Sequence, residues 1–528
     1  MPSTNPIRIC VPVKEQTVTA LIAAAQKAMS CADIVELRLD ALERGEIQKG
    51  AAQLSEIIHS FERPLILTYR PSEQGGYSAL SRNDRVAFWK NYFPSEAAFF
   101  DVEADLIDEL VNLDPDIQPD WSRIICSLHD FQGVPENLDE QYEEMAFTPA
   151  RILKLAVQAR AITDCIPVFQ IMERARREGR EIIAIAMDVA GLITRILGPS
   201  RGSFLTYASN EPHSGTAPGQ ILATNLRSLY RIDHIDTETM ITGLVGLPVS
   251  HSVSPHIHNA AFKAGDLNAV YLPFHVEDLH GFVQRMVNPR SRELDWNLRG
   301  LSITAPHKQA VLELLDWVDD QALKIGAVNT VVVEGEQLLG YNTDAHGLIE
   351  PLKRRFGSLS GTRVAVLGAG GAACAALYAL QREGADITVY ARDVEKAQLL
   401  CQRFNLSYES LASAYFAGKD IVINATPLGS FGTHLAETPA SAKQLRGVRL
   451  VYDLVYNPIE TLLLKEARTA GCDILGGLEM LVAQAQLQFK LWMNTDTSYD
   501  LMYTAGSNAL SDMRLLSHIG HTTSRSIT

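Results

Sequence analysis

In RILKLAV, residues 151–157, a lysine interrupts an otherwise apolar run. An ammonium ion without a partner in such a place carries a large desolvation cost. Either Lys154 snorkels to water at a strand end, or it is held inside for chemistry. A desolvated amine beside other cations gives up its proton more readily, and a neutral amine attacks a ketone to form an iminium. His129 in SLHDF, with a natural pKa near neutrality, could then act as general acid and base. Glu36, Arg38 and Asp40 of VELRLD fall on one strand face by their spacing, and Arg70 closes PLILTYR. A second set lies after residue 240. Ser252 and Ser254 precede a helix-like run, where serine hydroxyls and a helix N-terminus suit a carboxylate, although simple capping explains Ser254 alone. Lys308 of TAPHK is expected in the first turn of a helix begun by Pro306. That place disfavours a cation unless an anion accompanies it, and Asn329 and Asp344 are candidates for that company. Gly368, Gly370 and Ala373 fit G-x-G-x-x-A between a strand and a helix, where backbone amides approach a pyrophosphate. Arg392, at the end of the next strand, would pair a 2′-phosphate, which favours NADP over NAD; otherwise it is a solvated loop residue.

The elements that must position these groups are legible as short apolar runs. Eight begin at residues 7, 33, 64, 97, 123, 151, 182 and 204, most of them separated by helix-like patterns. Eight strands alternating with helices predict a (β/α)8 barrel over 1–235, in which C-terminal strand ends open into the active site; an open doubly wound sheet is the alternative. Strand–helix alternation resumes after a short link. It predicts a two-lobed α/β unit: a substrate-binding lobe over 240–350, completed by a helix at 477–495, and a Rossmann lobe over 356–476. The Ser/Thr-rich tail, 496–528, reads as mostly disordered surface with one short helix near SNALSDMRLLSHI.

Composition narrows the function. Of 528 residues 46% are hydrophobic and 21% charged, and the net charge of −15 argues against nucleic-acid or anionic-membrane partners. Local cations must therefore attract any anionic substrate against the overall field. Seven scattered cysteines without CxxC or metal-like spacing indicate reduced thiols and a cytoplasmic setting. The N-terminus has no targeting pattern, no run suits a membrane span, and no ligand cluster suggests a metal.

VELRLD, TYRP followed by paired glycines, SLHDF, LKLA, GLITR and APGQ, in that order, resemble the type I 3-dehydroquinate dehydratases across the front half. The resemblance implies that Lys154 forms a Schiff base with a C3 ketone while His129 removes a C2 proton and protonates the departing hydroxyl. It also implies that Glu36, Arg38, Arg70 and Arg195 hold hydroxyls and carboxylate, and that Gln220, with Thr216 in place of the usual Ser, belongs to a lid. Where that family commonly has Glu before the paired glycines, this chain has Gln74, with Glu73 one place earlier. Charge tuning of His129 from that position is thereby removed.

From about 241 to 493, GLPVSHSVSPHIHN, GLSITAPHK, GAVNTVVV, GYNTDAHG, GAGGAA, INATPLG, VYDLVYNP and GLEMLVAQAQLQF resemble the shikimate dehydrogenases. The likeness implies that Ser252, Ser254 and Tyr456 hold a carboxylate, that Thr304, Asn329 and Gln484 hold ring hydroxyls, and that Lys308 with Asp344 transfers the proton. It places Gly368, Gly370, Gly371, Ala373, Arg392, Asn424, Thr426 and Gly477 about NADP, and Ser302 resembles the plant-like fused form. Together the halves resemble bifunctional dehydroquinate dehydratase–shikimate dehydrogenases. The expected small molecules are 3-dehydroquinate, 3-dehydroshikimate and shikimate. The alternatives are a back half acting on quinate, an aldolase-type barrel joined to a sugar-acid dehydrogenase, or a non-catalytic ligand sensor that keeps both folds.

Overall fold

A parallel sheet whose strands are apolar on both faces needs helices outside and a filled interior, and a barrel supplies both. The computed structural model describes residues 7–47, 58, 61–91, 99–212, 215–217, 219–432 and 434–523, with side chains to 514. It divides into two compact units: Met1–Thr239 with Phe274–Val287 and Ser291–Asn297, and Met240–Pro273 with Asn288–Arg290 and Leu298–Thr528.

In the first unit the strands are β1 (Ile9–Val13), β2 (Ile34–Arg38), β3 (Leu65–Thr68), β4 (Phe99–Glu103), β5 (Ile124–Asp130), β6 (Ile152–Gln158), β7 (Glu181–Met187) and β8 (Thr206–Tyr207). They run in the order β7-β6-β5-β4-β3-β2-β1-β8. A parallel bridge between Ile182 and Ser203, backed by the Phe204 amide donating to the Ile182 carbonyl at 2.6 Å, nearly closes the ring. The open-sheet alternative is thereby excluded. Lys154 is the third residue of seven-residue β6, paired with Ser127 and Ile183, and is 5% exposed. It lies inside the barrel wall and does not snorkel from a strand end.

The second unit holds two sheets. The first contains β9 (Met240–Gly246), β10 (Ala269–His275), β11 (Leu298–Ile303), β12 (Trp317–Val318), β13 (Thr330–Glu334) and β14 (Gln337–Tyr341), in the order β10-β9-β11-β13-β14-β12. The second contains β15 (Arg363–Leu367), β16 (Asp386–Ala391), β17 (Ser407–Ser410), β18 (Ile421–Asn424), β19 (Leu450–Asp453) and β20 (Asp473–Leu475). All neighbours in it are parallel and its order is β17-β16-β15-β18-β19-β20, the 3-2-1-4-5-6 arrangement of a dinucleotide-binding fold.

Two elements differ from expectation. Lys308 is not in an α-helix: Pro306 starts turns, followed only by a short 3-10 stretch at Ala310–Leu314. The tail is not mostly disordered but carries a helix over Tyr499–Thr523. Its Met502, Ala509 and Leu510 are buried against Ile257, Phe262, Leu478 and Phe489. Spacings of seven and eight residues from Met502 put those apolar groups on one face, a stripe that the surrounding Ser and Thr obscure. No described helix is long and apolar enough to cross a membrane. Met502→Ala should leave a cavity and destabilise the second unit by about 2–3 kcal/mol, read as a lower urea midpoint; an unchanged midpoint would show that this helix is not part of the core.

Candidate active sites

The barrel encloses a pocket lined by Glu36, Arg38, Arg70, His129, Lys154 and Arg195, with Tyr207, Gln74, Thr216 and Gln220 at its sides. The groups are bound to one another. Lys154 Nζ donates to Asp101 Oδ2 at 2.7 Å and to Tyr207 Oη at 2.9 Å, with Glu36 Oε1 at 3.8 Å. Arg70 Nη2 donates to the other oxygen of Asp101 at 2.5 Å, and its Nη1 lies against His129. Arg38 grips Asp40 through two hydrogen bonds of 3.0 and 2.8 Å, and Thr68 Oγ1 donates to Glu36 at 2.6 Å. Four buried cations (Arg38, Arg70, Lys154 and Arg195) thus meet three buried carboxylates (Glu36, Asp40 and Asp101). Burial pushes the Arg195 guanidinium down to about 10, with Tyr207 acting against it, whereas burial is outweighed by Asp101 and Glu103 at Arg70.

Burial, then Arg70 and Lys154, holds the His129 imidazole well below its usual range, while Asp101 pulls the other way. His129 is therefore neutral at neutral pH and available to accept a proton. Over the mouth, the paired glycines let the chain turn back tightly. A Cβ on Gly76 would stand 2.0 Å from the Arg70 carbonyl oxygen, and the Gly75 carbonyl accepts from Arg38 at 3.1 Å. Gln74 Oε1 is buried with no hydrogen-bond partner among the described residues. Glu73 is exposed, hydrogen-bonds Ser72 and does not line the pocket, so it does not replace the missing carboxylate. Gln220 and Thr216 hydrogen-bond each other at 3.0 and 3.4 Å at the pocket edge.

In the second unit a cavity of about 290 Å³ is lined by Ser252, Ser254, Thr304, Lys308, Asn329, Asp344, Tyr456, Gly477, Gln484 and Gln488, among others. Lys308 Nζ donates to Asp344 Oδ2 at 2.6 Å. Asp344 opens the helix Asp344–Phe356, where the helix dipole favours its charge, and Asn342 Oδ1 caps its amide at 3.1 Å. Asn329 Nδ2 donates to Asp344 Oδ1 at 2.8 Å and to Thr343 at 2.9 Å. Ser252 and Ser254 hydroxyls lie 3.1 Å apart; burial raises the Tyr456 phenol, and a Ser252 hydrogen bond opposes it. Gln484 comes from the helix Gly477–Met493, entered by a glycine because a Cβ on Gly477 would stand 2.4 Å from the Leu454 carbonyl.

The nucleotide cradle follows β15. A Cβ on Gly370 or Gly371 would meet nothing of the protein within 4 Å, so it would fill the space before the helix Gly371–Arg382, where a pyrophosphate belongs. Gly368 has φ +111° and a Cβ there would press on Thr426 and Ala425. Ala373 is fully buried beneath this turn. Arg392 is exposed just after β16, with no ion-pair partner among the described residues. These residues fit a phosphorylated dinucleotide. Asn424 is fully buried, donates to Asp453 at 2.8 Å and to the Leu428 carbonyl, and accepts from Thr426 at 2.6 Å. It holds the Thr426 turn and has no amide group left to offer a cofactor.

The chain matches the family models of type I 3-dehydroquinase over residues 9–237, shikimate dehydrogenase substrate-binding domain over 244–331, shikimate/quinate 5-dehydrogenase over 350–454 and shikimate 5′-dehydrogenase C-terminal domain over 477–505. It is 33% identical over 520 residues to the chloroplastic bifunctional 3-dehydroquinate dehydratase/shikimate dehydrogenase of Arabidopsis thaliana, covering 94% of this chain and 84% of that one. The chain belongs to this bifunctional family. It joins a type I dehydroquinase to an NADP-dependent shikimate dehydrogenase. The shikimate dehydrogenase (NADP(+)) of Caldanaerobacter subterraneus subsp. tengcongensis is 40% identical over 277 residues, 51% of this chain and 97% of that protein. A crystal structure of a shikimate dehydrogenase in complex with NADP+ is 35% identical, covers 52% of this chain and 97% of that one, and has a TM-score of 0.49.

Several groups of this bifunctional chain escaped sequence reasoning. Asp101 gives Lys154 a carboxylate partner, so the amine does not stand among cations alone as its neighbours Arg38 and Arg70 imply. The signal was an acidic pair two residues apart in the aromatic run FFDVE. Gln488, one helical turn past Gln484, accepts from Ser302 at 2.8 Å and donates to Thr330 at 3.0 Å, and Ser302 accepts from Tyr271 at 2.8 Å. Gln74→Glu would place a carboxylate on the wall shared with His129 and favour the imidazolium. The acid limb of the dehydratase pH–rate profile should move up by about one pH unit; an unmoved limb would show that position 74 does not tune His129.

Proposed function

We propose that this chain catalyses two consecutive steps of the shikimate pathway, the dehydration of 3-dehydroquinate and the NADPH-dependent reduction of 3-dehydroshikimate, with the following residue roles. Lys154 Nζ attacks the C3 ketone, and loss of water gives an iminium that draws electrons from C2. His129, kept neutral by its surroundings, takes the C2 proton and returns it to the C1 hydroxyl, which leaves as water. Hydrolysis of the imine frees 3-dehydroshikimate and restores the amine. Arg195, with Arg70 and Arg38 nearby, receives the carboxylate; Glu36 takes a hydroxyl, and Thr216 and Gln220 close the mouth.

In the second unit Ser252, Ser254 and Tyr456 receive the carboxylate, and Thr304 and Gln484 the ring hydroxyls. Asn329 secures Asp344, and Asp344 holds the Lys308 ammonium, which gives a proton to the carbonyl oxygen and is left as the amine. Bound NADPH supplies the hydride. Gly370 and Gly371 would admit its pyrophosphate and Arg392 its 2′-phosphate. The seven free cysteines support a cytoplasmic setting.

The observation that carries this reading is a buried lysine sharing a cation-rich pocket with a neutral histidine. A non-catalytic sensor would need neither group. NADPH oxidation after adding 3-dehydroquinate to the lone purified chain tests it. Lys154→Ala should abolish that signal yet preserve oxidation driven by 3-dehydroshikimate, whereas Lys308→Ala should reduce both; 3-dehydroquinate turnover surviving in Lys154→Ala would refute the role of Lys154. Arg392→Ala should lower the preference for NADP over NAD by about tenfold, the value of one charge-assisted contact; an unchanged ratio would remove Arg392 from the cofactor site.

A further inference from the structure

An ammonium nitrogen has three N–H donors in a tetrahedral array. Those of Lys154 are not equally placed. Asp101 Oδ2 at 2.7 Å and Tyr207 Oη at 2.9 Å take two of them. The remaining neighbour, Glu36 Oε1 at 3.8 Å, is beyond hydrogen-bonding distance and lines the pocket. With two directions tied down, the third is set by the geometry of the nitrogen itself. Resting on the Schiff-base reading above, we propose that Asp101 and Tyr207 are an aiming pair that fixes Lys154, so that the lone pair exposed on loss of the third proton opens into the pocket where the substrate ketone must arrive.

The two partners divide the work. Asp101 is fully buried on β4 and is not part of the pocket lining; its other oxygen takes Arg70, which lies against His129. One carboxylate thereby fixes nucleophile and base relative to each other. Tyr207 lines the pocket from β8, with its ring centroid 4.4 Å from the same nitrogen. Burial, then Glu36, Cys10 and Asp101, raises its phenol well above the usual range, so it stays neutral and adds direction without charge. A nucleophile held in a near-attack position reacts faster with no change in substrate binding.

The test is the rate at which borohydride traps the 3-dehydroquinate adduct on Lys154, measured against pH beside steady-state kinetics, for the parent, Tyr207→Phe and Asp101→Asn. Tyr207→Phe removes one oxygen and keeps the ring. It should lower trapping and kcat about tenfold, leave KM within about twofold, and leave the pH profile in place. Asp101→Asn should lower both rates about a hundredfold and leave KM within about twofold. Oxidation of shikimate by NADP in the same preparations reports an intact chain, and Tyr207→Phe decides alone if Asp101→Asn does not fold. Parent-like trapping in Tyr207→Phe or in Asp101→Asn, or an effect on KM alone, would overturn the aiming pair. Absence of any adduct in the parent would instead overturn the Schiff-base reading.

Discussion

Asp101 is shared by Lys154 and Arg70 in a place with no access to water. Removing one member of such a buried ionic set leaves the others uncompensated, at about 3–5 kcal/mol. Asp101 meets both Lys154 and Arg70, and Asp40 meets Arg38, with hydrogen-bond geometry. Those contacts fix the rotamers of the reactive groups. The buried cations lining the pocket let a chain of net charge −15 hold an acid locally.

The second unit solves a related problem differently. Its lysine is only partly buried and needs just one carboxylate, Asp344, 2.6 Å away. Orientation comes from neutral amides and hydroxyls: Asn329 ties Asp344 to Thr343, and Gln488 ties Ser302 to Thr330. The contrast follows from the chemistry. A covalent nucleophile must be dry and fixed, whereas a proton donor to a carbonyl needs only proximity to substrate and a route back to solvent.

Most of the architecture was legible because strands and glycine turns leave local signatures. All eight barrel strands stood out as apolar runs, and the Gly368–Ala373 turn announced the Rossmann lobe through its βαβ setting. The parts that were not legible depend on long-range contact. Nothing local shows that Asp101 meets Lys154, 53 residues away. Tyr207 reads as one more aromatic of a short strand. That Asn424 holds the Thr426 turn through its own hydrogen bonds is likewise visible only in the structure. The tail helix was hidden by composition: exposed Thr504 and Ser511 are interleaved with buried Met502 and Leu510. Lys308 was misplaced for the opposite reason, since a proline after a strand resembles a helix start when the following residues in fact remain in turns.

The most direct measurement is a crystal structure of the chain after borohydride reduction in 3-dehydroquinate. The expected result is continuous density from Lys154 Nζ to the substrate carbon, the carboxylate of the adduct on Arg195, and Asp101 still within hydrogen-bonding distance of Arg70. Density on a different lysine, or an unmodified Lys154 turned out toward solvent, would contradict the buried, carboxylate-held nucleophile on which the rest depends.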